Sequence, residues 1–169
     1  MLEEFEFETS RQVIDDFRSR LTSGKFRAAL TEPKGPQLAL AASLDYQVLQ
    51  RLDAFYLYKL AVTLSNTGEI PIDDYWVELL FPKALMDTHT INAAEQKDRA
   101  TETHRFFRQT GQRRLYPGDT IQALTVEYHM DTDLHRALDV QESRVDVRAF
   151  ANGEALSHIQ RLVRELHKF

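Results

Sequence analysis

The residues HMDTDLH, from His129 to His135, set four potential metal ligands at every second position: His129, Asp131, Asp133 and His135. Alternate residues of a straight strand share one face, so an extended backbone would align all four. Imidazole and carboxylate together suit zinc, iron or manganese. Spacing limits the reading. Alternate side chains on a strand stand about 7 Å apart, whereas two ligands of one zinc approach within roughly 3.5 Å. Neighbours such as His129 and Asp131 could close on an ion, but four in a row could not. A strand from Ile121 through His135 would also exceed the usual length of roughly three to ten residues. The strand is therefore expected to end near Met130, with Asp131-Thr132-Asp133 as a turn.

A second constellation lies between Lys97 and Arg114, where six basic residues face two acids. That segment carries about +4 within a chain of net charge -5, which leaves the remainder near -9. Arg99, Arg105, Arg108, Arg113 and Arg114 flank Phe106 and Phe107. Cations interleaved with aromatics can hold phosphates while a ring stacks on a base. They equally suit an acidic protein partner, because long-range attraction speeds encounter without base readout. On an edge strand the same arginines would simply discourage edge-to-edge aggregation. Asp73-Asp74 is a third candidate, since paired carboxylates divide acid–base work when their surroundings split their pKa values. A solvated turn before a strand is the plainer account of it. The chain contains no G-x-S-x-G elbow, Walker phosphate loop, G-x-G-x-x-G fingerprint or H-E-x-x-H pair.

With 169 residues, 43% hydrophobic and 28% charged, the chain has the composition of one globular domain rather than a disordered segment. The absence of cysteine excludes a disulfide framework and a thiolate nucleophile, and favours a reducing, cytoplasmic setting. The first residues, MLEEFEFETS, are acidic and lack the apolar run of a signal peptide. No 18 consecutive residues are apolar, so no membrane partner is expected.

The elements that would position these residues are mostly strands. Val62 and Leu64 alternate with Thr63 and Ser65, and Tyr75, Val77, Leu79 and Phe81 alternate with Trp76, Glu78 and Leu80. A period of two is that of a half-buried antiparallel strand. Trp76 and Leu80 share the second face, which suggests a central strand buried on both sides. Leu38–Leu52 reads as a first strand with an irregular middle at Asp45, or as a strand followed by a short helix. Residues 86–105 read as a connection with one edge strand. Tyr116-Pro117-Gly118-Asp119 is a turn. Beyond it Leu124, Val126, Tyr128 and Met130 point inward, and Val145, Val147 and Ala149 share a face of a last strand before the Asn152-Gly153 turn. Two amphipathic helices bracket the sheet region (residues 37–152). One spans 9–24, from the Thr9–Gln12 capping box to Gly24. The other spans 157–168, with Ser157 and Gln160 as capping box and Ile159, Leu162, Val163 and Leu166 as stripe.

The turns Asn66-Thr67-Gly68 and Pro117-Gly118-Asp119, set around VTLSNTG and LYPGDTIQALTV, resemble those of the immunoglobulin-like or fibronectin-like β-sandwich modules of prokaryotic proteins. The resemblance covers Phe55–Phe150. It implies an accessory module that binds or positions something without catalysis. The expected whole is a mainly β, Ig-like antiparallel sandwich flanked by two helices in a single domain. Its function would be non-catalytic assembly with a protein partner, without a cofactor. The contact residues would be Arg105, Arg108, Arg113 and Arg114, with Ile159, Leu162, Val163 and Leu166 on the C-terminal helix, which could also pair two copies of the chain. A metal-binding protein or metal-dependent enzyme built on His129, Asp131 and His135 is the rival, and polyanion or nucleic-acid binding through Arg99–Arg114 the third reading.

Overall fold

Alternating apolar residues make nine strands, in a computed structural model that describes residues 35–85 and 89–166. The expected helix over 9–24 lies outside the described residues. The strands are β1 (Leu40–Arg51), β2 (Phe55–Asn66), β3 (Tyr75–Pro82), β4 (His89–Ile91), β5 (Ala94–Glu95), β6 (His104–Thr110), β7 (Thr120–Asp131), β8 (Arg144–Ala151) and β9 (Glu154–Leu162). They form two antiparallel sheets, one ordered β1-β2-β7-β4 and the other β5-β6-β3-β8-β9. The inward residues of both sheets enclose one core in the unit that runs from Gln37 onward. Leu60 and Val62 of β2, Val126 of β7, Val77 and Leu79 of β3 and Val147 of β8 are fully buried in it. Each such side chain contributes about 1.5–3 kcal/mol relative to exposure.

The two turns that carried the resemblance are joined through Asn66, which is 1% exposed. Its Nδ2 donates to the Ile70 and Leu115 carbonyls at 2.8 and 2.9 Å, and its Oδ1 accepts from Gly68 N at 3.0 Å. Its backbone is paired to the other turn, with Gly118 N donating to Asn66 O at 2.9 Å. Gly68 is needed because a Cβ there would lie 2.5 Å from Gln37 O. Gly118, at φ +83°, occupies the third position of its turn, where only glycine is unstrained.

Three expectations are corrected. Residues 154–162 are a strand, β9, so the helix expected over 157–168 is reduced to one turn, α3 (Val163–Leu166). The reason is the preceding turn. Asn152 and Gly153 have φ of 51° and 86°, the left-handed pair of a two-residue hairpin, which delivers the chain antiparallel to the open edge of β8. Pairing with β8 holds the segment against the core, whereas an isolated helix of about a dozen residues is marginal in water. Second, the irregularity in β1 is a bulge between Val48 and Gln50, not at Asp45. Third, the Asp131–Asp133 segment leads into two short helices, α1 (Thr132–Arg136) and α2 (Leu138–Glu142), in place of a simple turn. No helix among the described residues is long and apolar enough to cross a membrane.

Candidate functional site on the outer face of the five-stranded sheet

Strand β3 is the middle of its sheet, as the two-sided patterning suggests, and its outward residues Trp76, Glu78 and Leu80 are flanked by β6 and β8. In register, Glu78 sits between Arg108 of β6 and Arg148 of β8, and Trp76 sits opposite Phe150. Glu78 is only 4% exposed although it faces outward. Arg99, from a single 3-10 turn at Lys97–Arg99, grips it with both guanidinium nitrogens at 2.8 and 3.3 Å. Trp76 Nε1 donates to the same carboxylate at 3.3 Å. The Arg99 guanidinium also lies 3.9 Å from the centroid of the buried Phe106 ring. A carboxylate this enclosed must be paired, and here the pairing immobilises the arginine.

The indole of Trp76 is held between two neighbours. Phe150 stacks on it at 4.9 Å with planes 6° apart, and the Arg108 guanidinium lies 4.2 Å from its centroid. Because β6 and β8 lie on opposite sides of β3, arginine and phenylalanine approach the indole from opposite sides. Arg108 has no ion pair among the described residues. Its contact with the ring face contributes about 0.5–2 kcal/mol.

Asp146, next along the face, accepts from Gln160 Nε2 at 2.6 Å and lies 3.0 Å from His158 Nε2, both through Oδ2. Its Oδ1 lies 3.3 Å from Arg148 Nε but outside hydrogen-bond geometry, so that contact is Coulombic alone. Burial pushes the Asp146 carboxyl up. The hydrogen bonds from Gln160 and His158 and the nearby positive charge outweigh it, so the carboxyl ionises below its ordinary range. The face thus presents three arginines and an indole around two carboxylates already engaged with their neighbours.

The arginine island divides. Arg99 and Arg108 meet on this face. Arg105 is on the other side of β6, with Nε 3.9 Å from Glu95 Oε1. Arg114 binds Asp73 through two nitrogens at 2.5 and 2.9 Å in solvent. Arg113 lies in the connection after β6, and its carbonyl accepts from the Tyr75 hydroxyl at 2.9 Å. Asp74 is exposed beside Asp73, in the solvated turn expected there. The C-terminal residues do not form a free stripe. Val163 and Leu166 are 2% and 9% exposed and belong to the chain's own core, Ile159 packs against it, and Leu162 ends β9 opposite Arg144.

The histidine–aspartate run is broken where α1 begins. His129 and Asp131 are exposed at the end of β7, with the His129 ring edge-on to Phe55 at 5.2 Å, while Asp133 and His135 belong to the helix. Among the described residues no three His, Asp or Glu side chains converge on a metal position. Arg148, Phe150 and Trp76 are the residues that sequence reasoning did not join to the arginines. The even-numbered positions Arg144, Asp146, Arg148 and Phe150 were the available signal, because they are the outward set of β8.

No protein-family profile matches the chain, and no curated protein matches it in sequence. Among solved structures, two crystal structures of the β-glucosidase from Kluyveromyces marxianus are similar, one in complex with glucose and one selenomethionine-labelled. Each is 16% identical, with TM-scores of 0.28 and 0.29, and the match covers 76% of this chain. The chain spans 14% of the length of those enzymes.

Proposed function

We propose that the chain is a non-catalytic interaction module, an immunoglobulin-like sandwich that docks an acidic protein segment on the outer face of its five-stranded sheet. The strand order supports the first half of this reading. The sheet β1-β2-β7-β4 set against β3-β8-β9 follows the A-B-E-D and C-F-G arrangement of immunoglobulin domains, with β6 and β5 extending the second sheet. The observation that carries the second half is the Arg108–Trp76–Phe150 stack beside two carboxylates already engaged with their neighbours. Tryptophan and arginine held rigid on a flat face are the residue types that concentrate binding energy, because little entropy is lost when they are covered. An arginine fork that has no carboxylate partner among the described residues matches an incoming aspartate or glutamate. Nucleic acid is disfavoured, because the two acids within the face and the net charge of -5 weaken attraction for a run of phosphates.

The test is capture from lysate of the source organism, with and without nuclease, comparing the wild-type chain with Arg108→Gln and with Lys59→Gln on the other sheet. A stoichiometric protein retained by wild type and Lys59→Gln but lost by Arg108→Gln supports the reading. Equal capture by all three, or capture that depends on nucleic acid, overturns it.

A further inference from the structure

The docking face holds a second arginine whose donors are unused. Arg148 of β8 reaches Asp146 Oδ1 only through Nε, at 3.3 Å and outside hydrogen-bond geometry, and its side chain is 47% exposed. Among the described residues its guanidinium makes no hydrogen bond. The other oxygen of Asp146 is occupied by Gln160 and His158. Arg108 is in the same condition, set against the Trp76 ring with no ion pair among the described residues. Arg99 differs, because Glu78 takes both of its terminal nitrogens.

Register sets where these two arginines stand. Glu78 of β3 pairs with Arg108 on one side and with Arg148 on the other. The two arginines therefore lie on one line across the strands, two strand spacings or about 9.5 Å apart at Cα. Between them Glu78 is 4% exposed and its charge is matched by Arg99. An anion laid across the line thus meets two cations and a neutralised pair. The Trp76–Phe150 stack borders the line two residues further along, and both rings are half-buried.

A partner that engages both arginines must present two carboxylates at that distance on one side. Strand β3 is paired on both edges, so the partner cannot join the sheet here and has to lie on its face. Alternate residues of a strand are about 7 Å apart, and residues one turn apart on an α-helix about 5.4 Å. Two helical turns span about 10.8 Å, but a helix also brings an apolar stripe that needs more cover than two rings supply. A polyproline II segment has three residues per turn and rises about 3.1 Å per residue. Its residues i and i+3 therefore share a side and stand about 9.3 Å apart, the closest match to two strand spacings. Its backbone makes no internal hydrogen bonds, and such segments pack on aromatic surfaces.

We propose that the docked acidic segment is a polyproline II stretch with two carboxylates three residues apart. One sits on Arg108 and the other on Arg148, with the residues between them against Trp76 and Phe150. The inference rests on the docking reading above and adds the second anchor and the spacing. Each guanidinium fork offers paired donors to one carboxylate. Neither head is tied by a hydrogen bond among the described residues, so each can meet its anion over its own strand.

The test is titration of the full chain at low salt with blocked peptides, followed by amide and indole chemical shifts. The probe is Pro-Pro-Glu-Pro-Pro-Glu-Pro-Pro, and the controls replace one Glu by Gln or move the two Glu to adjacent positions. The probe is expected to shift Trp76, Arg108 and Arg148, and to bind at least about fivefold more tightly than either control. Arg148→Gln should remove that preference, as should Arg108→Gln, while Lys59→Gln should keep it. Equal binding of probe and controls at this face overturns the second anchor and leaves the docking reading standing. So does a preference that survives in Arg148→Gln while Arg108→Gln loses binding. No shift at Trp76 and Arg108 with any of the peptides at millimolar concentration overturns both. Unaltered shifts away from β8 and β9 in Arg148→Gln establish that the variant is folded.

Discussion

On β2 the residues pointing away from the core are Leu57, Lys59, Ala61 and Thr63, and on β3 they are Trp76, Glu78 and Leu80. Both sets have opposite charges across the register. Lys59 stands opposite Glu127 of β7, and Glu78 stands opposite Arg108 and Arg148. Lys59 and Glu127 are half-buried and make no ion pair with each other, whereas Glu78 is almost completely enclosed and gripped by Arg99. The difference lies in the neighbours. Trp76, Phe106 and Phe150 exclude water from around Glu78, which strengthens every charge contact it makes and penalises leaving any unmade. Small residues such as Ala61 and Thr63 give the other face no such cover, and an ion pair in water contributes about 0–1 kcal/mol. Around Glu78 the aromatic rings dry the opposed charges, and there they are held together.

The largest effect expected from this contrast is that of Trp76→Ala, which removes the ring between Phe150 and Arg108. It should cost about 2–3 kcal/mol in urea denaturation, somewhat below the cost of a fully buried aromatic. Leu57→Ala, at a half-buried position on the other sheet, should cost about 1 kcal/mol. Equal losses would erase the distinction between the faces.

Next in size is Glu78→Gln, which leaves Arg99 without its countercharge. Because Arg99 is 44% exposed, water recovers part of the loss, and the expected cost is about 1–2 kcal/mol. Glu127→Gln should stay within about 0.5 kcal/mol. A Glu78→Gln protein as stable as wild type would show that the network contributes specificity of structure and no stability.

Acid titration sharpens the same point. The carboxyl of Asp146 is held below its ordinary value of 3.8, so its contribution is complete above that pH and is lost as pH falls through the folded value. The stability difference between wild type and Asp146→Asn should shrink as pH falls below 3.8. A difference that does not shrink there would place the effect elsewhere.

The smallest effect on stability belongs to Arg108→Gln, about 0.5 kcal/mol, because among the described residues this arginine has a ring face and no carboxylate to lose. Its expected consequence is in binding. A cost above 2 kcal/mol would mean that Arg108 is part of the internal network rather than the group it offers outward.

Much of the scaffold was legible. The inward sets of β2, β3, β7 and β8 follow from alternation alone, and Pro117-Gly118 marks the turn it forms. The strand β9 was also encoded, in Asn152-Gly153, but Ile159, Leu162, Val163 and Leu166 match a helical stripe equally well. Short apolar segments satisfy both periods, and the open edge of β8 decided between them. Of the site, Arg99, Arg108 and Phe106 were visible as a cluster in one segment. Arg148, Asp146 and Phe150 were not, since nothing local ties β8 to β6.

The sequence by itself determined which residues of each strand face inward, because successive side chains of a strand must point to opposite sides and water rejects the apolar set. Only the tertiary structure decided which charges meet. Glu78 and Arg99 are 21 residues apart, and Trp76 meets Phe150 across strands paired from distant parts of the chain. Such contacts depend on strand order and register, which long-range pairing sets and no local pattern contains.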